Sequence, residues 1–432
     1  MLVKRYINTI SAFQFYQLVK YATLILIGIV FTKTVLTQSA IGEYETFVFI
    51  AGAVSFFWLN GLLKALLPLS SQAEQSNIFS AFVVIQFFSL FAALLLFLLQ
   101  PLFSDFLLNN KDIPEIKLLF LFLIFGVPAY LVEYFYLIKK QNNALIIYAL
   151  VSFLVQFVLV VLPPILGYGI KIVLIGLVTA SVIRYIWLWI LLISNSEIHF
   201  SFTFVKEHLK LGGPLVAATF LSGSAQFVDG FIVTSKFNDE TFAIFRYGAR
   251  ELPLAMLLAN ALSNAMLSDF AIKENLQQNL ASLKNSVSKL MHFLFPVTAV
   301  LILISHWAFP VIFNSQFAES ATIFNIYLLL VISRLLMPQI LLNGLKFTTP
   351  IMYAAFFELI INVTLSLVLV QFMGIAGIAI ATFVAYLFEK IYLALIVKAK
   401  LNIAISEYIP VNIYTLYSVV IIVLFIFVEI IL

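Results

Sequence analysis

Arg246 and Arg250 stand four residues apart in a long apolar stretch, Arg184 and Arg334 lie inside two others, and Lys64 belongs to a fourth. A basic side chain at the centre of a bilayer costs about 2.5–3.5 kcal/mol on insertion scales, so it snorkels to the interface, pairs, or faces a wet cavity. The i, i+4 spacing puts Arg246 and Arg250 on one helix face. Asp229 and Glu251 are available as partners, and Glu133 and Glu358 are further acids in apolar surroundings. Two readings follow: a network of interhelical ion pairs, or a cavity lined by cations. Glu133 and Glu358 are either ion-pair partners or proton-coupling carboxylates. Lys20, Lys33 and Lys390 stand near the ends of their stretches, where snorkelling accounts for them.

Other chemistries are poorly represented. Cysteine is absent, which removes disulfides, thiolate nucleophiles and sulfur metal ligands together. His199, His208, His292 and His306 are scattered without metal-ligand spacing, and no Gly-rich phosphate loop of the P-loop type occurs. The expectation is neither an ATPase nor a metalloenzyme, with no cofactor. The formal charge of +4 is spread along apolar segments rather than gathered in a basic patch, so nucleic acid is not an expected partner.

The elements that must position these residues are membrane helices. Of 432 residues, 63% are hydrophobic and 10% charged, against about 25% charged in soluble domains. Only helices and closed barrels satisfy every backbone group in hydrocarbon, and runs such as Ala81 to Leu99 lack the alternation of barrel strands. Apolar segments fall near 12–35, 43–67, 79–101, 117–138, 144–166 and 171–194. After a polar connector at Asn195 to Lys210 come 211–235, 242–269, 288–312, 320–344, 349–372, 375–397 and 410–432. Lys4 and Arg5 precede the first segment without a cleavage site, which predicts a retained span. With the N-terminus inside, twelve Lys or Arg fall on inside connectors or span edges. Only Lys111, Lys117, Lys171 and Lys236 fall outside, as the positive-inside rule requires.

Gly176-Leu177-Val178-Thr179-Ala180-Ser181 is echoed by Gly377-Ile378-Ala379-Ile380-Ala381-Thr382, and Tyr185 by Tyr386, at a constant separation (377 − 176 = 386 − 185 = 201). The expected organisation is therefore residues 1–200 and 201–400 as two six-helix lobes of like orientation, with 401–432 as an extra C-terminal span. Leu276, Leu280, Leu283, Val287 and Leu290 recur at helical spacing among polar residues, which predicts an amphipathic helix lying on the inner surface. Gly212-Gly213-Pro214 is expected to open the seventh span, Gly248 and Pro253 to interrupt the eighth, and Pro163-Pro164 to end the fifth.

Ile41-Gly42-Glu43-Tyr44 leads into the second span and Asn60-Gly61-Leu62 closes it. Leu211-Gly212-Gly213-Pro214-Leu215, Asp229, Phe242-Ala243 and Arg246-Tyr247 follow in the second half. In these residues the chain resembles the polysaccharide transporter branch of the multidrug, oligosaccharidyl-lipid and polysaccharide (MOP) exporter superfamily, the bacterial lipid-linked oligosaccharide flippases. The likeness runs from about Phe13 to Lys400; a thirteenth span departs from the commonest twelve-span plan.

The resemblance implies an all-α integral membrane protein with two lobes around a central cavity. It would work by alternating access in the bacterial cytoplasmic membrane, with its N-terminus cytoplasmic. The substrate would be a polyprenyl-diphosphate-linked oligosaccharide (an O-antigen, capsule or exopolysaccharide repeat unit), and polysaccharide assembly proteins are the implied partners. Arg246, Arg250, Arg334, Arg184 and Lys64 would then be the cations that hold the diphosphate. The rival expectations are an ion-coupled multidrug or cation antiporter of the same superfamily, and a membrane-embedded polysaccharide polymerase or ligase.

Overall fold

The structure, a computed structural model, describes residues 9–72, 77–108, 111–195, 198–249, 276–345, 347 and 349–430, with single positions between 255 and 270. Every regular element among them is helical. Among the described residues nine helices are long and apolar enough to cross a membrane, and one bent pair passes the same test together. The chain is a multi-pass membrane protein. By packing it divides into two compact units, Met1–Phe227 with Thr234–Ala243, and Val228–Val233 with Ile244–Leu432.

The first unit contains α1 (Thr9–Phe31), α2 (Gln38–Gln72), α3 (Ile78–Leu98), α4 (Ile116–Ile138), α5 (Asn142–Ile165), α6 (Ile170–Ser194) and α7 (Phe202–Gly223). Without a hydrophobic force between helices in lipid, close backbone approach supplies much of the packing, and small residues permit it. A Cβ at Gly176 would collide with the Leu159 carbonyl, so α5 and α6 meet where the echoed motif begins. Gly61 does the same for α2 against Val216 of α7, where His208 Nε2 also lies 2.9 Å from the Leu62 carbonyl. The Asn60-Gly61-Leu62 motif is thus a helix-crossing motif. Helix α7 starts at Phe202, with Ser201 as its N-cap, and runs through Gly212-Gly213-Pro214. The helix thus begins well before that tripeptide, and Lys206, Glu207 and Lys210 disguise its first turns as a connector.

Helix α8 (Ala225–Lys236) and α9 (Asp239–Gly248) follow. The second unit continues with α10 (Leu276–Ile312), α11 (Ser320–Arg334), α12 (Pro338–Gly344), α13 (Thr349–Leu401) and α14 (Val411–Ile430). Helix α10 corrects the expectation of a surface-lying amphipathic helix. Its 37 residues are one continuous rod, about 55 Å long at 1.5 Å per residue, against a hydrocarbon core of about 30 Å. The amphipathic stretch is its extension, and Leu280, Leu283 and Val287 are buried in the unit's core beside Ile403, Tyr408 and Ile409.

Helices α11 and α12 meet at a 46° bend. Pro338 excludes helical geometry from the residue before it, and Met337 takes φ 47. Helix α13 has 53 residues, about 80 Å if straight, too long for one span. Gly374 at φ 56 and ψ −139 folds it back. The Asn362 amide donates to the Thr382 hydroxyl at 3.1 Å, and the Phe357 and Tyr392 rings meet at 6.3 Å, so the two arms run antiparallel as separate spans.

Candidate functional site

Each unit buries carboxylates among its helices. In the first unit, α4 is interrupted by a π-helical turn at Phe122–Gly126 and a 3-10 turn at Pro128–Tyr130. The helix that resumes carries Glu133, only 5% exposed. Tyr16 of α1, Lys20 and Arg184 lie close enough to act on its carboxylate electrostatically, and Oε2 has no hydrogen-bond partner among the described residues. The Lys20 ammonium stands 4.6 Å from the centre of the Tyr130 ring, turned into the protein. Snorkelling does not describe it.

Arg184 of α6 donates to Gln156 Oε1 at 2.6 Å and to the Ser152 carbonyl at 3.3 Å, and its guanidinium lies 4.6 Å from the Phe153 ring centre. These contacts join α5 to α6 through polar groups. Within lipid, such bonds are structural cross-links as well as charge carriers.

In the second unit, Asp229 on α8 is 3% exposed. Tyr327 and Thr382 each donate a hydroxyl to its Oδ2 at 2.6 Å. The sequence offers Asp229 as an ion-pair partner of the Arg pair; among the described residues its Oδ2 is held by two hydroxyls. Arg334, the last residue of α11, lies with its guanidinium 4.9 Å from the Tyr386 ring centre, directly before the bend.

Beyond the bend, Gln339 bridges Glu389 and Lys390, donating to Glu389 Oε1 at 2.6 Å and accepting from Lys390 Nζ at 2.7 Å. Lys390 also pairs with Glu389 Oε2 at 2.8 Å. At 5% exposure Lys390 is a buried ion-pair partner, not a snorkelling residue. Glu358, 4% exposed, faces Glu389, Asp229, Lys390 and Arg334.

Arg246 is half-buried on α9, and Lys64 is exposed on α2. Arg250 and Glu251 lie outside the described residues. Of the cations expected to act together, Lys64 and Arg184 belong to the first unit, Arg246 and Arg334 to the second.

Sequence reasoning passed over Tyr16, Gln156, Tyr327, Gln339 and Glu389. Two signals were available: Met337-Pro338 marks a helix break beside Gln339, and Asn362 stands one turn after Glu358. Among the described residues no group of His, Asp and Glu is arranged to hold a metal ion.

Residues 35–322 match the family described as "Polysaccharide biosynthesis protein". No curated protein matches the chain in sequence. Solved structures do match in fold. The lipid II flippase MurJ, in an inward closed conformation, superposes with a TM-score of 0.71 at 19% identity, over 95% of this chain and 91% of that one. An inward-facing MATE family multidrug resistance transporter of the MOP superfamily gives 0.60 at 13%, over 97% and 99%. A MOP superfamily transporter from Pyrococcus furiosus gives 0.56 at 12%, over 96% and 95%. At these identities the likeness is one of fold, and it holds along nearly the whole chain.

Proposed function

Because the chain belongs to the polysaccharide biosynthesis protein family and has the fold of MOP exporters, we propose that it carries a polyprenyl-diphosphate-linked oligosaccharide across the bacterial cytoplasmic membrane. In this reading two six-helix lobes alternate access to a cavity between them, and the N-terminus is cytoplasmic. The O-antigen, capsule or exopolysaccharide repeat unit is made inside and consumed outside by assembly proteins.

The observation that supports the reading is the presence of guanidinium groups within apolar stretches of the sequence. Arg334 closes α11 at a broken span, and Arg246 ends its helix beside Gly248. A broken span frees backbone groups and side chains to line a wet path. A guanidinium grips phosphate oxygens through paired donors and remains charged at any working pH. Arg246, with Arg250 four residues on, and Arg334 are assigned to the diphosphate. Arg184 is already engaged with Gln156 and Ser152, so its part is to shape the first unit. Lys64, exposed on α2, has the reach to draw an anionic headgroup toward the protein.

The test is reconstitution into sealed liposomes with a fluorescent polyprenyl-diphosphate oligosaccharide in one leaflet and an impermeant quencher facing the other. Protein-dependent crossing is expected, and the Arg246→Ala/Arg250→Ala double variant is expected to lose at least about 10-fold in rate, one charge-assisted contact's worth. Undiminished crossing in the double variant removes the assigned role. Transport of a cationic dye without crossing of the glycolipid replaces the reading with the antiporter.

A further inference from the structure

The C-terminal helix α14 packs through one face. Leu416, Val419 and Val423 are exposed, whereas Ile421 and Val428 are buried in a core shared with Leu328, Leu329 and Ile332 of α11. The helix lies along α10 in the same direction: His292 meets the Tyr417 hydroxyl at 2.8 Å, and His306 meets Glu429 at 3.0 Å. It runs antiparallel to α11. There the Asn325 amide donates to Glu429 Oε1 at 2.5 Å, and the Tyr414 hydroxyl donates to the Ile332 carbonyl at 3.1 Å.

The Ile332 carbonyl is a group that the bend between α11 and α12 sets free. In an unbroken helix it would accept from the Leu336 N–H, four residues on. Here that N–H turns to the Ser333 carbonyl at 3.3 Å, Met337 takes φ 47, and Pro338 has no N–H to offer. A carbonyl released within an apolar bundle needs another donor. The Tyr414 hydroxyl is that donor, and it comes from α14 instead of from the broken span. With Asn325 held seven residues earlier, α14 grips α11 at two places, one of them the last turn before the bend.

We infer that α14 is a brace for the broken span and that Tyr414 is a positioning residue for Arg334, which stands two residues after Ile332 with its guanidinium against the Tyr386 ring. Without the hydroxyl the Ile332 carbonyl takes water, the last turn of α11 frays, and Arg334 loses its fixed place. The thirteenth span, which departs from the commonest twelve-span plan, thereby has a task. The consequence for transport rests on Arg334 serving the diphosphate, as proposed above; the brace itself is measurable without substrate.

The experiment is hydrogen exchange of the full chain in lipid nanodiscs, read by mass spectrometry, with Tyr414→Phe, which removes the hydroxyl and keeps the ring. Amides of residues 333–341 are expected to exchange about 5-fold faster, one neutral hydrogen bond's worth, with α10 and both arms of α13 unchanged. Unchanged exchange at the bend overturns the brace, and so does an equal rise throughout the second unit, which would make Tyr414 a packing residue only. In the liposome assay Tyr414→Phe should raise the KM for the fluorescent glycolipid with the maximal rate kept, and should change nothing further in an Arg334→Ala background. An equal KM rise in that background overturns the link to Arg334. Absent glycolipid crossing by the parent protein, with the local exchange difference intact, would sink the transport reading and leave the brace standing.

Discussion

The two units bury carboxylates in opposite surroundings. Among the described residues, two cations, Lys20 and Arg184, act on the single carboxylate of Glu133. Among the same described residues, two cations, Lys390 and Arg334, act on Glu358 with two further carboxylates, Glu389 and Asp229. The same depth and residue class therefore serve opposite ends: in the first unit an acid compensates surplus cations, and in the second the cations leave an acid uncompensated. An ionisable residue in a membrane helix cannot be given a role from its depth alone, because the sign of the local surplus decides whether its own charge stabilises or strains the site.

Removing the carboxylate from each cluster tests this contrast. Glu133→Gln strands Lys20 and Arg184 together in the first unit, and a buried charge left without its counter-charge costs about 3–5 kcal/mol. Thermal melting in detergent should show the largest drop of the series. Adding Lys20→Met to it should recover much of the loss; a double variant as unstable as the single would mean that packing, not charge, is what Glu133 supplies.

Gln339→Leu comes next, at about 1–3 kcal/mol, because it leaves Glu389 and Lys390 each short of a hydrogen bond in a buried site. Asp229→Asn should cost about 1 kcal/mol, since an amide oxygen still accepts from Tyr327 and Thr382. Glu358→Gln is expected to change the melting temperature least, or to raise it. A loss in Glu358→Gln matching that of Glu133→Gln would erase the distinction between the units.

The membrane class and the fold family were legible in the sequence, because long apolar stretches are a local property. The helix-crossing glycines were legible as motifs, although their purpose was not: Gly61 has its reason in Val216, and Gly176 in Leu159. Boundaries failed where charge and helix coincide. Lys206, Glu207 and Lys210 lie in the first turns of α7, and the polar face of α10 continues a span instead of lying flat.

The site was legible only in its charged members. Asp229, Glu133, Glu358, Arg184 and Arg334 stand out because lipid penalises them. Their partners do not, since Tyr327 and Thr382 are ordinary residues in a membrane helix and meet Asp229 across 98 and 153 positions. Lys20 and Lys390 misled for a related reason. Closeness to a span's end predicts escape to the interface only when nothing inside competes, and here Tyr130 and Glu389 compete.

The turn at Gly374 bears on how this protein is made. The two arms of α13 are joined without a polar stretch, so the machinery that inserts them has no hydrophilic segment to translocate at that point. The arms can enter the bilayer together as a preformed hairpin, already holding the Asn362 to Thr382 bond that neither would have alone. A polar insert placed at Gly374 would thus burden biosynthesis before it burdened the finished fold.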